Sequence, residues 1–202
     1  MELLEFSLES FRDESLKLAR MVEECGYTPD CVAYLAKGAW QIGEVCANYF
    51  NVPIVELTAH RSGDAVKDDA KSILQALPRC IRKLLRSVEL RKRFATTDGV
   101  SQKKTMKLTT RFEFPKEASR ILIVDDAADT GSSLIAAQAL LLDLMPDAEV
   151  KTGVITSFAP ARLIGAVDFS LYKDALLCSP MSKDNRDYAK ALAVYEGFRK
   201  NA

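Results

Sequence analysis

The 202 residues carry 28 lysines and arginines against 28 aspartates and glutamates, and 48% of them are hydrophobic. That length suits one domain with a full core, and the charge balance argues against a strongly basic nucleic-acid binder. Five cysteines without a CxxC pair suit reduced thiols in a cytoplasm rather than a disulfide framework; with no basic-then-apolar leader and no apolar run able to span a bilayer, neither secretion nor membrane insertion is expected.

From the amino terminus, Phe11, Leu16, Leu18, Ala19, Met21 and Val22 recur among charges between Ser7 and Cys25, which predicts an amphipathic helix ended by Gly26. Cys31 to Ala36 is apolar enough for a first buried strand, and Lys37-Gly38-Ala39-Trp40 opens a second helix through Phe50. Pro53 to Ala59 predicts another strand, with the polar loop His60-Arg61-Ser62-Gly63-Asp64 after it. His60, the only histidine, is too isolated to name a metal site or a general base and reads as a surface residue.

Ala65 to Phe94 is helical in pattern and broken at Pro78, so two helices are expected. The second sets Arg79, Arg82, Lys83, Arg86, Arg91, Lys92 and Arg93 against the single acid Glu89, with Ile81, Leu84, Leu85 and Val88 at helical spacing. One face packs and the other is cationic: a solvated face, or a contact with RNA, an acidic subunit or polyphosphate. Residues 95–107 are polar, contain Gly99 and lack a period, which predicts a mobile loop; Leu108 to Phe114 returns as a strand and Pro115-Lys116-Glu117 turns.

Next stands RILIVDDAADTGSSL, Arg120 to Leu134. Ile121 to Val124 is the apolar run of a parallel strand buried on both faces; Asp125 and Asp126 stand where such a strand should end, and Thr130-Gly131-Ser132-Ser133 leads into the helical run Leu134 to Leu144. Met145-Pro146-Asp147 turns the chain into a strand over Glu149 to Phe158. Ala159 to Pro180 holds short apolar pieces that suit a small lobe over the sheet edge, and a helix over about Asn185 to Phe198 closes the chain. The expected fold class is α/β, a central, mainly parallel sheet flanked by helices with a small hood: one domain over residues 1–202, its carboxyl-terminal lobe at 159–202.

In open α/β sheets ligands bind at the carboxyl edge of the strands. There the unpaired N–H groups and dipole of the helix after Gly131 make a seat for an anion, usually a phosphate. The acids just upstream would repel it unless they hold sugar hydroxyls or a magnesium ion carried by the substrate, and sugar hydroxyls beside a phosphate mean a ribose phosphate. Lys37, at a glycine turn on the same edge if the strands are parallel, would bind a second anion or stand solvated.

The stretch resembles the 5-phosphoribosyl-1-pyrophosphate (PRPP) signature of the type I phosphoribosyltransferases. The resemblance implies that Asp125 and Asp126 hold the ribose 2′ and 3′ hydroxyls and that Ala128, Asp129, Thr130, Gly131, Ser132 and Ser133 wrap the 5′-phosphate. Ala36-Lys37-Gly38-Ala39 is similar to the family's pyrophosphate loop, with Ala39 where a second glycine often stands. Arg61 is a candidate to grip the same pyrophosphate through paired hydrogen bonds. The 95–107 segment corresponds to the flexible hood, whose Lys103 and Lys104 would reach the pyrophosphate on closure or else lie on a surface hairpin.

The implied reaction is displacement of pyrophosphate from PRPP by a nucleobase nitrogen, giving a nucleoside 5′-monophosphate, with Mg2+ held mainly through PRPP and no direct protein ligand. Lys37 and Asp129 are the catalytic candidates. Asp129 either exchanges a proton with the base or is a first-turn acid favoured by the helix dipole; an acid at that place is the spelling of the 6-oxopurine members, which implies purine salvage. Ile155-Thr156-Ser157-Phe158 lacks the lysine those members commonly carry, which leaves the base open. Cys178 to Asp184 is similar to the proline-tryptophan segment of bacterial members, with Met181 in the base pocket or in the core. The partners are PRPP and a nucleobase, the chain is expected to be a homo-oligomer in the cytoplasm, and the alternative is a PRPP-sensing regulator that contacts nucleic acid through Arg79 to Arg93.

Overall fold

A computed structural model describes residues 1–61, 106–110, 115 and 117–201. The chain divides into two compact units, one of Met1–Ala59 with Leu108–Ala202 and the other of His60–Lys107; the second is described only at its ends. The basic stretch 79–93, Lys103, Lys104 and residues 95–105 of the expected loop lie outside the described residues.

The main sheet is built from β2 (Cys31–Leu35), β3 (Ile54–Arg61), β4 (Met106–Thr110), β5 (Arg120–Ala128), β6 (Glu149–Ser157) and β7 (Phe169–Lys173), in the order β4-β3-β2-β5-β6-β7. The run from β3 through β2, β5 and β6 to β7 is parallel throughout. Val32 lies opposite Ile54 on one side and Leu122 on the other, so β2 and β5 are interior strands and their carboxyl ends meet at one edge.

Both faces of these strands are buried, as their unbroken apolar runs require. Val32, Tyr34, Leu122 and Val124 point into a core shared with α1 (Leu8–Glu24), α2 (Trp40–Phe50) and the closing helix α5 (Tyr188–Asn201). Cys31, Ala33, Ile121 and Ile123 point the other way, against Leu134, Ala137 and Leu141 of α3 (Ser132–Leu144) and Ala161 of α4 (Ala159–Leu163). The period-two alternation of the strand thus sorts two cores, one per face. Burial pushes the thiols of Cys31 and Cys46 up to about 12.

Local chemistry sets the helix ends. Ser7 and Ser10 close a capping box on α1, and Gly26, at φ 81, carries the chain out of it. Gly131, at φ 76, is the N-cap of α3, and a Cβ there would lie 2.5 Å from that of Ala166.

Glu56 of β3 is 1% exposed, yet it carries a carboxylate into the first core. Tyr34 donates to it at 2.6 Å and Tyr195 at 3.2 Å, and Arg199 of α5 pairs with it at 2.9 Å. Burial, with this carboxylate alongside, holds the Tyr34 phenol above its ordinary pKa, so the hydroxyl stays a donor. The cluster fastens α5 to the sheet.

Several expectations are corrected. β5 runs on to Ala128, with Ala127 and Ala128 paired to Thr156 and Ser157, so Asp125 and Asp126 lie within the strand. His60 and Arg61 end β3 instead of forming a loop, and Met106 and Lys107 open β4 instead of closing the mobile loop. Phe169–Lys173 joins the main sheet as β7, and Leu176–Cys178 forms β8, a parallel pair with the unforeseen β1 (Leu3–Glu5). These pieces are too short to declare a period, and their partners are distant in sequence. The last helix begins at Tyr188, because the Asn185 side chain is spent on the backbone N–H of Asp187, at 2.8 Å.

Glu56→Ala is expected to lower unfolding free energy by about 2–4 kcal/mol, short of the fully buried limit because a half-exposed Arg199 can turn to water. Gly131→Ala should cost about 2–4 kcal/mol through the left-handed backbone and the overlap with Ala166. Urea denaturation of each variant measures both, and a change under 1 kcal/mol would remove the feature concerned from the account of stability.

Candidate functional site

Three chain segments converge at the carboxyl edge of β2 and β5. The first is the turn from β2 into α2. Its backbone is tied at both ends, Ala36 N–H donating to Leu57 O at 2.8 Å and Ala39 N–H to Leu35 O at 3.2 Å, and the Ala36–Lys37 peptide is cis. Lys37 is exposed, while Ala39 is buried under the helix. A Cβ on Gly38 would stand 2.9 Å from Asp126 Oδ2: the turn and the second acid of β5 are in contact, and only glycine leaves room for it.

The second segment is the acid pair, half-buried in the carboxyl-terminal half of β5. Asp125 Oδ1 accepts the backbone N–H of Asp126 at 2.9 Å, and Asp126 Oδ2 accepts the Ser179 hydroxyl at 3.0 Å. The third is the loop Asp129-Thr130-Gly131 and the start of α3. A glycine N-cap supplies no side-chain bond to the first-turn N–H groups; Ser132 N–H donates to Thr130 Oγ1 at a long 3.5 Å, and a helix start so weakly capped can meet an anion. Thr130 Oγ1 and Ser132 Oγ share a hydrogen bond of 2.8 Å at that helix start, and Ala128 is buried beneath it.

Of the residues singled out from sequence, Ala36 to Ala39, Asp125, Asp126 and Ala128 to Ser133 therefore lie on the edge shared by β2 and β5. Arg61 ends β3, the strand beside β2. Met181 is half-buried and packs on the first core. Ser179, which has no role of its own in the reading of the Cys178 to Asp184 segment, is 1% exposed and reaches Asp126; a small hydroxyl residue directly after the apolar run Ala175 to Cys178 carries no local signal of that contact. Among the described residues no group of three or more His, Cys, Asp or Glu side chains is placed to hold a metal ion.

A family model described as the phosphoribosyl transferase domain matches residues 13–168. No curated protein matches the chain by sequence. Among solved structures, the fold is similar to the Helicobacter pylori xanthine-guanine-hypoxanthine phosphoribosyltransferase, with a TM-score of 0.59 and 18% identity over 93% of this chain and 96% of that one. It is similar also to a purine phosphoribosyltransferase from Pyrococcus horikoshii, with a TM-score of 0.58 and 13% identity over 91% and 95%. A third is a hypothetical protein from Neisseria gonorrhoeae with bound ppGpp, with a TM-score of 0.53 and 13% identity over 98% of both chains. At these identities the likeness is one of fold. Because the family model spans well over half of the sequence, from α1 to the approach to β7, the chain belongs to the phosphoribosyl transferase domain family, a family of enzymes.

Proposed function

We propose that this protein transfers the 5-phosphoribosyl group of PRPP to a nucleobase, in purine salvage, releasing pyrophosphate and a nucleoside 5′-monophosphate. The observation that carries the reading is the contact between the Gly38 turn and Asp126. It brings a lysine-bearing turn against the second of two carboxylates, on the strand that leads into the glycine-capped start of α3, an order that suits a pyrophosphate, a ribose and a 5′-phosphate on one molecule.

The sugar becomes an oxocarbenium ion as pyrophosphate departs, so the protein's work is placement and charge management. Asp125 and Asp126 accept the ribose 2′ and 3′ hydroxyls. The backbone N–H groups and hydroxyls of Ala128 to Ser133 hold the 5′-phosphate against the positive end of α3. Lys37, with the backbone of Ala36 to Ala39, takes the leaving pyrophosphate; Arg61, Lys103 and Lys104 are proposed for the same group. Asp129 exchanges a proton with the ring nitrogen of the base, and its place directly before Thr130-Gly131 supports the 6-oxopurine reading.

Hard carboxylate oxygens at a half-buried, water-accessible edge suit magnesium better than a softer metal. Carried in by PRPP, the ion supplies neutralisation of the leaving group. Among the described residues no helix is long and apolar enough to cross a membrane, and we place the protein in the cytoplasm as a homo-oligomer.

Pyrophosphate release from magnesium and PRPP, with guanine, hypoxanthine, xanthine, adenine, uracil and orotate offered separately, tests the reading. Turnover with one or more 6-oxopurines is expected; turnover with another base alone would overturn purine salvage, and silence with all six would overturn the transferase reading. Gly38→Ala meets the side-chain end of Asp126 rather than backbone, so the variant should fold normally. Its pyrophosphate release should nevertheless fall roughly ten- to a hundredfold, and a wild-type rate would show that the turn and the acid are not used together.

A further inference from the structure

Ser179 lies outside the turn, the acid pair and the phosphate loop, yet it touches the acid pair directly. Its hydroxyl is buried, 3.0 Å from Asp126 Oδ2 across 53 residues of sequence. A buried hydroxyl beside a carboxylate donates to it, and such a charge-assisted bond is stronger than a neutral one. Ser182 Oγ stands 3.3 Å behind it.

The backbone that carries Ser179 is held firmly for a loop. Asn185, itself 3% exposed, donates from Nδ2 to Cys178 O at 3.0 Å and to Phe6 O at 2.8 Å. Phe6 N–H donates to Cys178 O at 3.3 Å, and Ser182 N–H donates back to Ser179 O at 2.9 Å. The β1–β8 pair ends at Glu5 and Cys178, one residue short of this hydroxyl. The same oxygen, Oδ2, faces the Gly38 turn, where a Cβ would lie 2.9 Å from it. The carboxylate thus meets both a turn backbone and a directed donor, which limits its rotamers.

We propose that Ser179 is a positioning residue of the ribose subsite, which holds Asp126 in the orientation that meets the sugar hydroxyls and makes the β1–β8 pair part of the sugar site. The proposal rests on the reading of Asp126 as a ribose ligand. It assigns Ser179 no contact with the reacting atoms; it acts through Asp126, on the ribose and not on the pyrophosphate.

Calorimetric titration of the full chain with ribose 5-phosphate and, separately, with magnesium pyrophosphate separates these cases. In Ser179→Ala the affinity for ribose 5-phosphate should fall roughly five- to tenfold, while pyrophosphate affinity and melting temperature stay as in the wild type. Ser179→Thr, which keeps the hydroxyl, should restore binding. Should the added methyl prevent folding in so buried a place, Ser179→Cys, a weaker donor, should fall between serine and alanine. Unchanged ribose 5-phosphate binding in Ser179→Ala would overturn the role, and an equal loss for both ligands would reduce it to general support of the loop. Tighter binding would mean that Ser179 competes with the sugar for Asp126. A wild-type chain that binds neither ribose 5-phosphate nor PRPP would overturn the reading of the site itself and this proposal with it, an outcome distinct from a failure at Ser179 alone.

Discussion

The arrangement of the site depends on how closely a turn can approach a carboxylate. Gly38 has no side chain, and the place where a Cβ would begin is 2.9 Å from Asp126 Oδ2. Any larger residue would have to push the acid aside or lift the turn off the sheet. The approach is possible because β2 and β5 are neighbours in a parallel sheet, so that strand ends separated by nearly half of the sequence finish at one edge. A turn that follows one strand and acids near the end of another then become a single surface.

Keeping those two strand ends in place falls to the cores on the two faces. α2 is pressed on β2 so tightly that a Cβ on Gly43 would come within 2.7 Å of that of Tyr34, which ties the start of the helix, and the turn before it, to the strand. On the other face Gly131 packs the start of α3 closely against Ala161 of α4 and Ala166. The two glycine-led helix starts therefore sit on opposite sides of the sheet and present their N–H groups to the same edge. Side chains at close-packed contacts cannot drift by a fraction of an ångström without loss, and a site that handles a charged, short-lived sugar needs that rigidity.

Most buried polar side chains among the described residues are hydrogen-bonded, though Trp40 Nε1 and Gln41 Oε1 find no partner. Glu56 brings a carboxylate into an otherwise apolar core and meets two phenols and a guanidinium there. Such clusters add little net stability but penalise every alternative packing that leaves the charge alone. Here that penalty selects one seat for α5, and α5 follows directly on the segment that carries Ser179 and Asn185.

The elements that make the site were legible because each carries its signal locally. Four apolar residues followed by two acids and a Thr-Gly loop state a strand, an edge and a helix start within fifteen positions of one another. The helices α1 and α2 announce themselves through period and caps, and the acid pair needs no partner to be noticed. What remained illegible lacks such a signal. β1, β7 and β8 are three to five residues long, too short to show a period, and they become strands only by pairing with segments far away in the chain. Ser179 is one hydroxyl among many until the fold brings it to Asp126. The amino-acid sequence by itself therefore determined the family, the buried parallel strands and the residue types gathered at their carboxyl edge, since these rest on signals carried by near neighbours. Only the tertiary structure decided that the acids lie inside β5, that β7 completes the main sheet and that the Ser179 hydroxyl, one residue past β8, reaches Asp126. Those outcomes are set by non-local pairing, whose free energy exists only once the chain has closed on itself.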